Sequence, residues 1–277
     1  MSLYHTNQAI YPKSIALNVK DLRKMVQFYK DILGFKLHES KEGFASFTAN
    51  GKDVLLELYQ TSSVSTNVAL YHVAYLFNSK EALASIFRHI LVQKYPMTGG
   101  ADHTVSDALY LDDPEGNGIE LYFDTQPDAW DDIEAHPERL QNYPFPYDEY
   151  LRMAKKFYSI DSNTIIGHIH LHAINLKDAV KFYETVFGYD TIAKVPSAYF
   201  MSSQRYHHHI ALNTWRVPTV FDDKNLGLKY IVLETEANEV REQLLNRINS
   251  LDNATSNDDV ILFKDANGYA YKIKNQK

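Results

Sequence analysis

Residues 15–35, IALNVKDLRKMVQFYKDILGF, open with a short apolar run, pass through a polar turn and continue with apolar positions at helical spacing. That pattern predicts a strand, a turn and an amphipathic helix ending at Gly34, glycine being favoured at helix ends. Residues 169–189, IHLHAINLKDAVKFYETVFGY, repeat it, and Phe28-Tyr29 align with Phe182-Tyr183 without a gap. Two weaker copies, YHVAYLFNSKEALASIFRHIL (71–91) and LKYIVLETEANEVREQLLNRI (228–248), again read as strand then helix. Three further strand-like runs follow each helix: YPMTGG, DALYLDD and GIELYFD in the second copy, with AYFMSS and HHHIALN among those of the third. The predicted unit is βαβββ, present four times, and the fold class is α+β. The acidic, proline-bearing stretch between the halves reads as a linker with one helix. The expected division is a two-module domain over 1–125, a linker over 126–163 and a second two-module domain over 164–277.

Composition narrows the chemistry. Cysteine is absent, so disulfides and thiolate metal sites are excluded and any metal takes His, Asp or Glu. A formal net charge of -7 argues against an extended nucleic-acid surface. No apolar run has the length of a membrane span, and a cytoplasmic protein is the expectation. No G-x-S-x-G elbow and no phosphate-binding glycine loop occurs. The acidic run at Asp131, Asp132 and Glu134 reads as solvated surface, as does Glu115 in its turn.

The βαβββ unit, its FY…LGF helix and the DPEGNGIELY ending together resemble the vicinal oxygen chelate (glyoxalase/bleomycin resistance/dioxygenase) superfamily. The four-unit length, with GHIHLH, HHHIALN and ALYLDDPEGNGIELY, is similar to its extradiol ring-cleaving branch, of the catechol 2,3-dioxygenase kind. The resemblance implies four modules curled into two half-open barrels, with metal ligands on first and last strands. First-strand positions are Ser14, His72, His168 and, in the fourth unit, Lys229; the last-strand carboxylate is Glu120, with Lys272 or a neighbour in the fourth unit. The implied ligand set is therefore His72, Glu120 and His168. Two imidazoles and one carboxylate suit Fe(II), and Mn(II) could use the same set. Units two and three would be the active pair and units one and four a structural one; pairing within or across the halves stays open.

The run RYHHHIALN (205–213) is read the same way. Alternation along a strand would set His208 opposite to His207 and His209, with Val54 at its place in the first unit. The resemblance implies that His208 is the acid–base residue, a task imidazole suits near neutrality. His207 and His209 are expected to be structural or solvated. The resemblance further makes Tyr110 an active-site tyrosine that hydrogen-bonds a substrate oxygen; His103, in the glycine-rich segment GGADHTVSDALY before it, is read as a residue behind the ligands or on the dioxygen side. His170 and His172 share the strand face of His168 and would line the cavity floor.

The implied activity is Fe(II)-dependent extradiol cleavage of catechol-type diols by O2, in the catabolism of aromatic compounds. The partners would be a small aromatic diol and dioxygen, with no nucleic acid and no membrane; a homo-oligomer is left open. Two alternatives stand beside it: a glyoxalase-like metal-dependent lyase, and a metal-free protein that binds aromatic compounds.

Overall fold

The computed structural model describes residues 6–126, 141–216, 221–257 and 259–274. The acidic run at Asp131, Asp132 and Glu134 lies outside them.

The four predicted units are present. The first comprises β1 (Tyr11–Val19), α1 (Leu22–Gln27), β2 (Lys36–Lys41), β3 (Phe44–Thr48) and β4 (Val54–Gln60). The second comprises β5 (Leu70–Phe77), α2 (Lys80–Val92), β6 (Gly99–Asp102), β7 (Ser106–Asp112) and β8 (Gly118–Asp124). A short strand β9 (Tyr143–Pro144) and helix α3 (Tyr147–Met153) stand between the halves. The third unit has β10 (Ile165–His172), α4 (Leu176–Phe182), β11 (Asp190–Val195), β12 (Ala198–Ser202) and β13 (Ile210–Asn213). The fourth has β14 (Gly227–Glu234), α5 (Asn238–Asn249), β15 (Thr255–Ser256), β16 (Val260–Lys264) and β17 (Ala270–Lys274).

Local chemistry sets the strand-to-helix joins. Asp21, Ser79 and Asn175 each accept a backbone N–H at the start of a helix, the usual office of an N-cap. Glu115 is not simply solvated: its carboxylate takes the backbone N–H groups of Lys20 and Asp21 at 2.8–3.0 Å. In both strong copies the helix widens into a π-turn at the Phe-Tyr pair, over Phe28–Ile32 and Tyr183–Phe187. The turn buries Tyr29 and Tyr183 completely.

Those two tyrosines explain the echo. Tyr29 Oη donates to Asp113 Oδ2 at 3.1 Å, and Tyr183 Oη donates to Asp265 Oδ2 at 2.7 Å. Each bond runs from the helix of one module to the last turn of the next. Burial pushes both carboxyls up to about 6, against the N–H donors that gather on them.

The two sheets are assembled across the halves. One runs β15-β16-β17-β14-β1-β4-β3-β2, and the other β11-β12-β13-β10-β5-β8-β7-β6-β9. Units one and four thus share a sheet, and units two and three share the other. Each curls into a half-open barrel. The stretches 1–125 and 164–277 each give one module to either sheet. On the first strands, Ile15, Leu17, Val73, Tyr75, Ile169, Leu171, Ile231 and Leu233 enter one continuous core with the helices. The alternate positions face two concave cups. The 141–163 segment packs on the second unit, where Tyr150 is buried and donates to Asp107 Oδ2 at 2.7 Å.

Because Tyr29 supplies the hydroxyl donor to a buried carboxyl, Tyr29→Phe should lower stability by about 1–3 kcal/mol. Tyr158→Phe, at a largely exposed ring, should leave the urea midpoint where it is. Equal midpoints for the two variants would show that the clip contributes nothing.

Candidate metal centre

β5 and β10 run antiparallel at the middle of their sheet, with His72 opposite His170 and Ala74 opposite His168. β8 lies parallel to β5 and sets Glu120 level with Ala74. Gly118 permits that approach, since a Cβ there would stand 2.0 Å from the Tyr71 carbonyl oxygen. The two-fold relation that exchanges β5 with β10 carries His72 onto His168. It carries Glu120 onto Ala211, which lies level with His170 on β13.

Glu120 Oε2 is 3.0 Å from His72 Nε2 and 3.3 Å from His168 Nε2. All three side chains are buried, and their ligand atoms lie within 4.8 Å of one another. The His72 approach lacks hydrogen-bond direction, and His168 Nδ1 has no hydrogen-bond partner. A buried cluster of two imidazoles on one carboxylate oxygen, with His72 Nε2 unpaired and His168 Nε2 held only by a long 3.3 Å hydrogen bond, fits a divalent cation, so this set could hold a metal ion. Burial lowers His168 to about 4 despite the neighbouring carboxylate, which keeps the imidazole neutral and able to ligate. Burial opposes the charge on Glu120, but the two imidazoles outweigh it and hold the carboxyl well below its usual range.

The other expected residues surround this cluster. Tyr110 sits directly across the β7–β8 ladder from Glu120, with its ring 5.9 Å from His72. Burial first, then the Glu120 charge, pushes its phenol well up, so it stays protonated. Its hydroxyl shares a 2.6 Å hydrogen bond with His103 Nε2, whose Nδ1 meets Asn142 Oδ1 at 2.5 Å. The His208 ring lies 4.0 Å from that of His168 and 5.2 Å from Phe200, centroid to centroid.

The alternation expected of the histidine run holds between His208 and His209 and fails between His207 and His208. His209 already bonds the neighbouring strands, its N–H to Met201 and its carbonyl to the Ile169 N–H, whereas 207 and 208 precede the ladder that would impose alternation. His207 and His208 turn the same way, with their Nδ1 atoms 2.7 Å apart. Only His209 points elsewhere, its Nδ1 sharing a 2.8 Å hydrogen bond with Ser202 Oγ. His207 is not solvated: it is buried, and its Nε2 meets Asp124 Oδ1 at 2.8 Å. His168, His207 and His208 also bring ring nitrogens within 4.8 Å of one another, so two imidazole groups overlap at His168.

The floor and one wall follow from β10. His170 Nε2 accepts from Asn213 Nδ2 at 2.8 Å, and His172 Nδ1 donates to Asn213 Oδ1 at 2.6 Å. Burial, then the surrounding imidazoles, holds His170 well below its ordinary value. The half-exposed rings of Tyr71 and Trp215 stand 5.0 Å apart beside His170 and form an aromatic wall. Asp124, Asn213, Tyr71 and Trp215 escaped the sequence reading; position on the β8 face was the available signal for Asp124.

The other cup shows what the same register does with different residues. There Ser14 pairs with Val232, Ala16 with Tyr230, Glu57 lies level with Ala16 and Lys272 with Val232. The four positions matching His72, Glu120, His168 and Ala211 are Ser14, Glu57, Tyr230 and Lys272. Tyr230, not Lys229, takes the first-strand place, because a bulge between Ala16 and Leu17 puts Lys229 out of pairing. The Tyr230 hydroxyl donates to Glu57, and the Lys272 ammonium stands 3.5 Å from the Tyr230 ring centroid.

Comparison with known proteins agrees with this architecture. The family described as Glyoxalase/Bleomycin resistance protein/Dioxygenase superfamily matches residues 12–121. Catechol-2,3-dioxygenase of Bacillus subtilis (strain 168) is 36% identical over 212 residues, which are 72% of this chain and 73% of that one. Among solved structures, glyoxalase I from Zea mays superposes with a TM-score of 0.58 at 13% identity, over 96% of this chain and 92% of that one. The cppA protein from Streptococcus pneumoniae TIGR4 gives 0.60 at 16% identity, over 96% and 98%. At such identities these two structures speak for the fold alone. Among the described residues no helix is long and apolar enough to cross a membrane.

His72→Ala, Glu120→Ala and His168→Ala should each strip most of the metal from folded protein, while Ser14→Ala and Lys272→Ala keep it. Elemental analysis decides, and full occupancy in any of the first three removes that residue from the set. Acid should also act through His168 in chelator-treated protein. Its folded value near 4 lies below the unfolded 6.5, so the unfolded chain binds the extra proton between those limits. Stability should therefore fall by up to about 3 kcal/mol from this group as pH drops from 6.5 to 4. His168→Gln should flatten that decline in the urea midpoint; an unchanged slope would mean that His168 is already protonated in the fold.

Proposed function

The chain belongs to the glyoxalase/bleomycin resistance/dioxygenase superfamily, and from that premise we propose that it is an extradiol dioxygenase, opening catechol-type rings beside the diol with O2. The observation that carries this reading is the count of ligands at the four symmetric positions. His72, Glu120 and His168 offer two nitrogens and one carboxylate, while Ala211 stands where a fourth ligand would be and offers none. A three-ligand set leaves places for both substrate oxygens and for dioxygen. Fe(II), or Mn(II) with the same ligands, would supply Lewis acidity and a route for electrons from the diol to O2 when bound.

The chain's own groups do the rest. His208, wedged between the His168 and Phe200 rings, takes the proton that a catechol hydroxyl gives up on binding. Tyr110 keeps its phenolic proton and gives it to His103 Nε2, since His103 Nδ1 donates to Asn142 Oδ1, which leaves the Tyr110 hydroxyl oxygen to accept from a substrate hydroxyl. Tyr71, Phe200 and Trp215 give the aromatic ring apolar faces to lie against and reduce the water around it. The name of the 36% identical relative supports the same substrate class. A glyoxalase-like lyase would use further carboxylate ligation, which Ala211 does not provide.

The test is anaerobic iron loading followed by oxygen uptake and appearance of the yellow ring-opened product from catechol. His208→Phe should retain iron and lose turnover by about 10²- to 10⁴-fold, the range of general acid–base catalysis. Iron loss from His208→Phe, or full turnover, would refute its role. No oxygen uptake by iron-loaded parent with any simple catechol would refute the dioxygenase reading.

A further inference from the structure

Behind His208 runs a chain of buried polar contacts that the proposed chemistry does not use. Tyr122 Oη and Tyr206 Oη are 2.7 Å apart, and Tyr206 Oη donates to Asp124 Oδ2 at 2.9 Å. Asp124 Oδ1 lies 2.8 Å from His207 Nε2, and His207 Nδ1 lies 2.7 Å from His208 Nδ1. Tyr122, Asp124, Tyr206 and His207 are all buried. Gly167, next to His168, is part of the arrangement: a Cβ there would sit 1.6 Å from Tyr122 Oη.

We propose that Asp124, through His207, is a positioning device that fixes the tautomer and ring orientation of His208. The proton count follows from donor and acceptor rules. A carboxylate only accepts, so His207 carries its proton on Nε2 and presents a lone pair at Nδ1. One proton alone fits between two nitrogens at 2.7 Å, so His208 must donate from Nδ1. A neutral His208 then has its lone pair on Nε2, the form able to take a proton. Tyr206 occupies the second carboxylate oxygen as a donor, which leaves Oδ1 for His207. An aspartate set behind a histidine for this purpose is a known device in hydrolases, where Asp→Asn preserves the geometry but installs the wrong tautomer. Here it acts through a second imidazole. The inference rests on the reading of His208 as the acid–base residue, but its first observable is independent of turnover.

Asp124→Asn is the decisive variant. Because Tyr206 donates toward one side of residue 124, the amide turns its oxygen to Tyr206 and its NH2 to His207. His207 then accepts at Nε2, carries its proton on Nδ1 and drives His208 out of its donor role. Long-range proton–nitrogen NMR of metal-free, histidine-labelled protein reads this directly, with His207→Phe used for assignment. The parent should show His207 protonated on Nε2 and His208 on Nδ1, and Asp124→Asn should move the His207 proton to Nδ1. In iron-loaded protein the same substitution should lower kcat by at least about 10²-fold with KM for catechol within a few fold and iron content unchanged. Tyr206→Phe, which keeps the carboxylate, should keep the parent tautomers. A parent His207 with a proton on Nδ1 overturns the proposal, whether or not Asp124→Asn folds. So does an Asp124→Asn protein with unchanged tautomers or full kcat. A parent inactive on every catechol, yet with the expected tautomers and their shift, would sink the dioxygenase reading and leave the positioning device standing.

Discussion

The antiparallel pairing of β5 with β10 is the contact on which the candidate site depends. It joins strands from opposite halves of the chain and brings His72 and His168 to one patch of sheet. Side chains alternate along a strand, so a slip of one residue would send both imidazoles into the apolar core and bring Val73 and Ile169 into the cup. The core therefore enforces the register. Val73, Tyr75, Ile169 and Leu171 are buried with no exposed surface, and exchanging them for histidines would leave polar nitrogens without partners. The position of the candidate metal centre is thus a consequence of hydrophobic packing on the opposite face.

That same cup concentrates groups that are costly to bury. His72, His168, His170, His172, His207, Glu120 and Asp124 all lie in it with little access to water. Such a collection persists when each donor finds an acceptor, and the bonds formed are directional. Asn213 accepts from His172 and donates to His170, and so assigns a tautomer to each. It also receives the Trp215 backbone N–H, which ties the exposed aromatic wall to the floor. The hydrogen-bond chains leave His72 Nε2 unpaired beside Glu120 and His168 Nε2 on a long 3.3 Å contact to it. The hydrogen bonds through Asn213 set the ring directions of the floor, and the less satisfied group around Glu120 is where a cation could sit.

Much of this was legible in the residues. The Phe-Tyr echo marked the repeat, and the pattern of strands after each helix predicted the four modules and the α+β class. His72 and Glu120 stand on the first and last strands of the second module and His168 on the first strand of the third, and the fold gathers them, because strand position alone decides which face they take. The histidine run was legible in composition but not in direction. Alternation holds only where a ladder imposes it, and His207 and His208 end a loop that the His207–Asp124 contact shapes instead. The exchange of Lys229 for Tyr230 has a similar cause, since a bulge shifts register by one and leaves no mark in the apolar pattern. Asp124 was hidden because its partner lies 83 residues away, and only the folded sheet reveals the pair.

The second cup explains how one duplicated unit could carry two outcomes. Glu57 remains at the carboxylate position, but Tyr230 replaces the imidazole and donates to it. Lys272 stands where the first cup has Ala211, and it brings an ammonium within reach of the Glu57 field. Positive charge is then supplied by the chain itself, and the neighbouring lysine of β14 adds to it, so a divalent cation entering there would meet repulsion where the first cup offers lone pairs. Because each sheet takes one module from either half, neither half of the chain holds a complete cup. Change in one pair of modules leaves the other pair's ligands in place, while the Tyr29–Asp113 and Tyr183–Asp265 clips still bind the modules along the chain. Pairing across the halves therefore lets units one and four diverge as scaffold without disturbing the candidate site of units two and three.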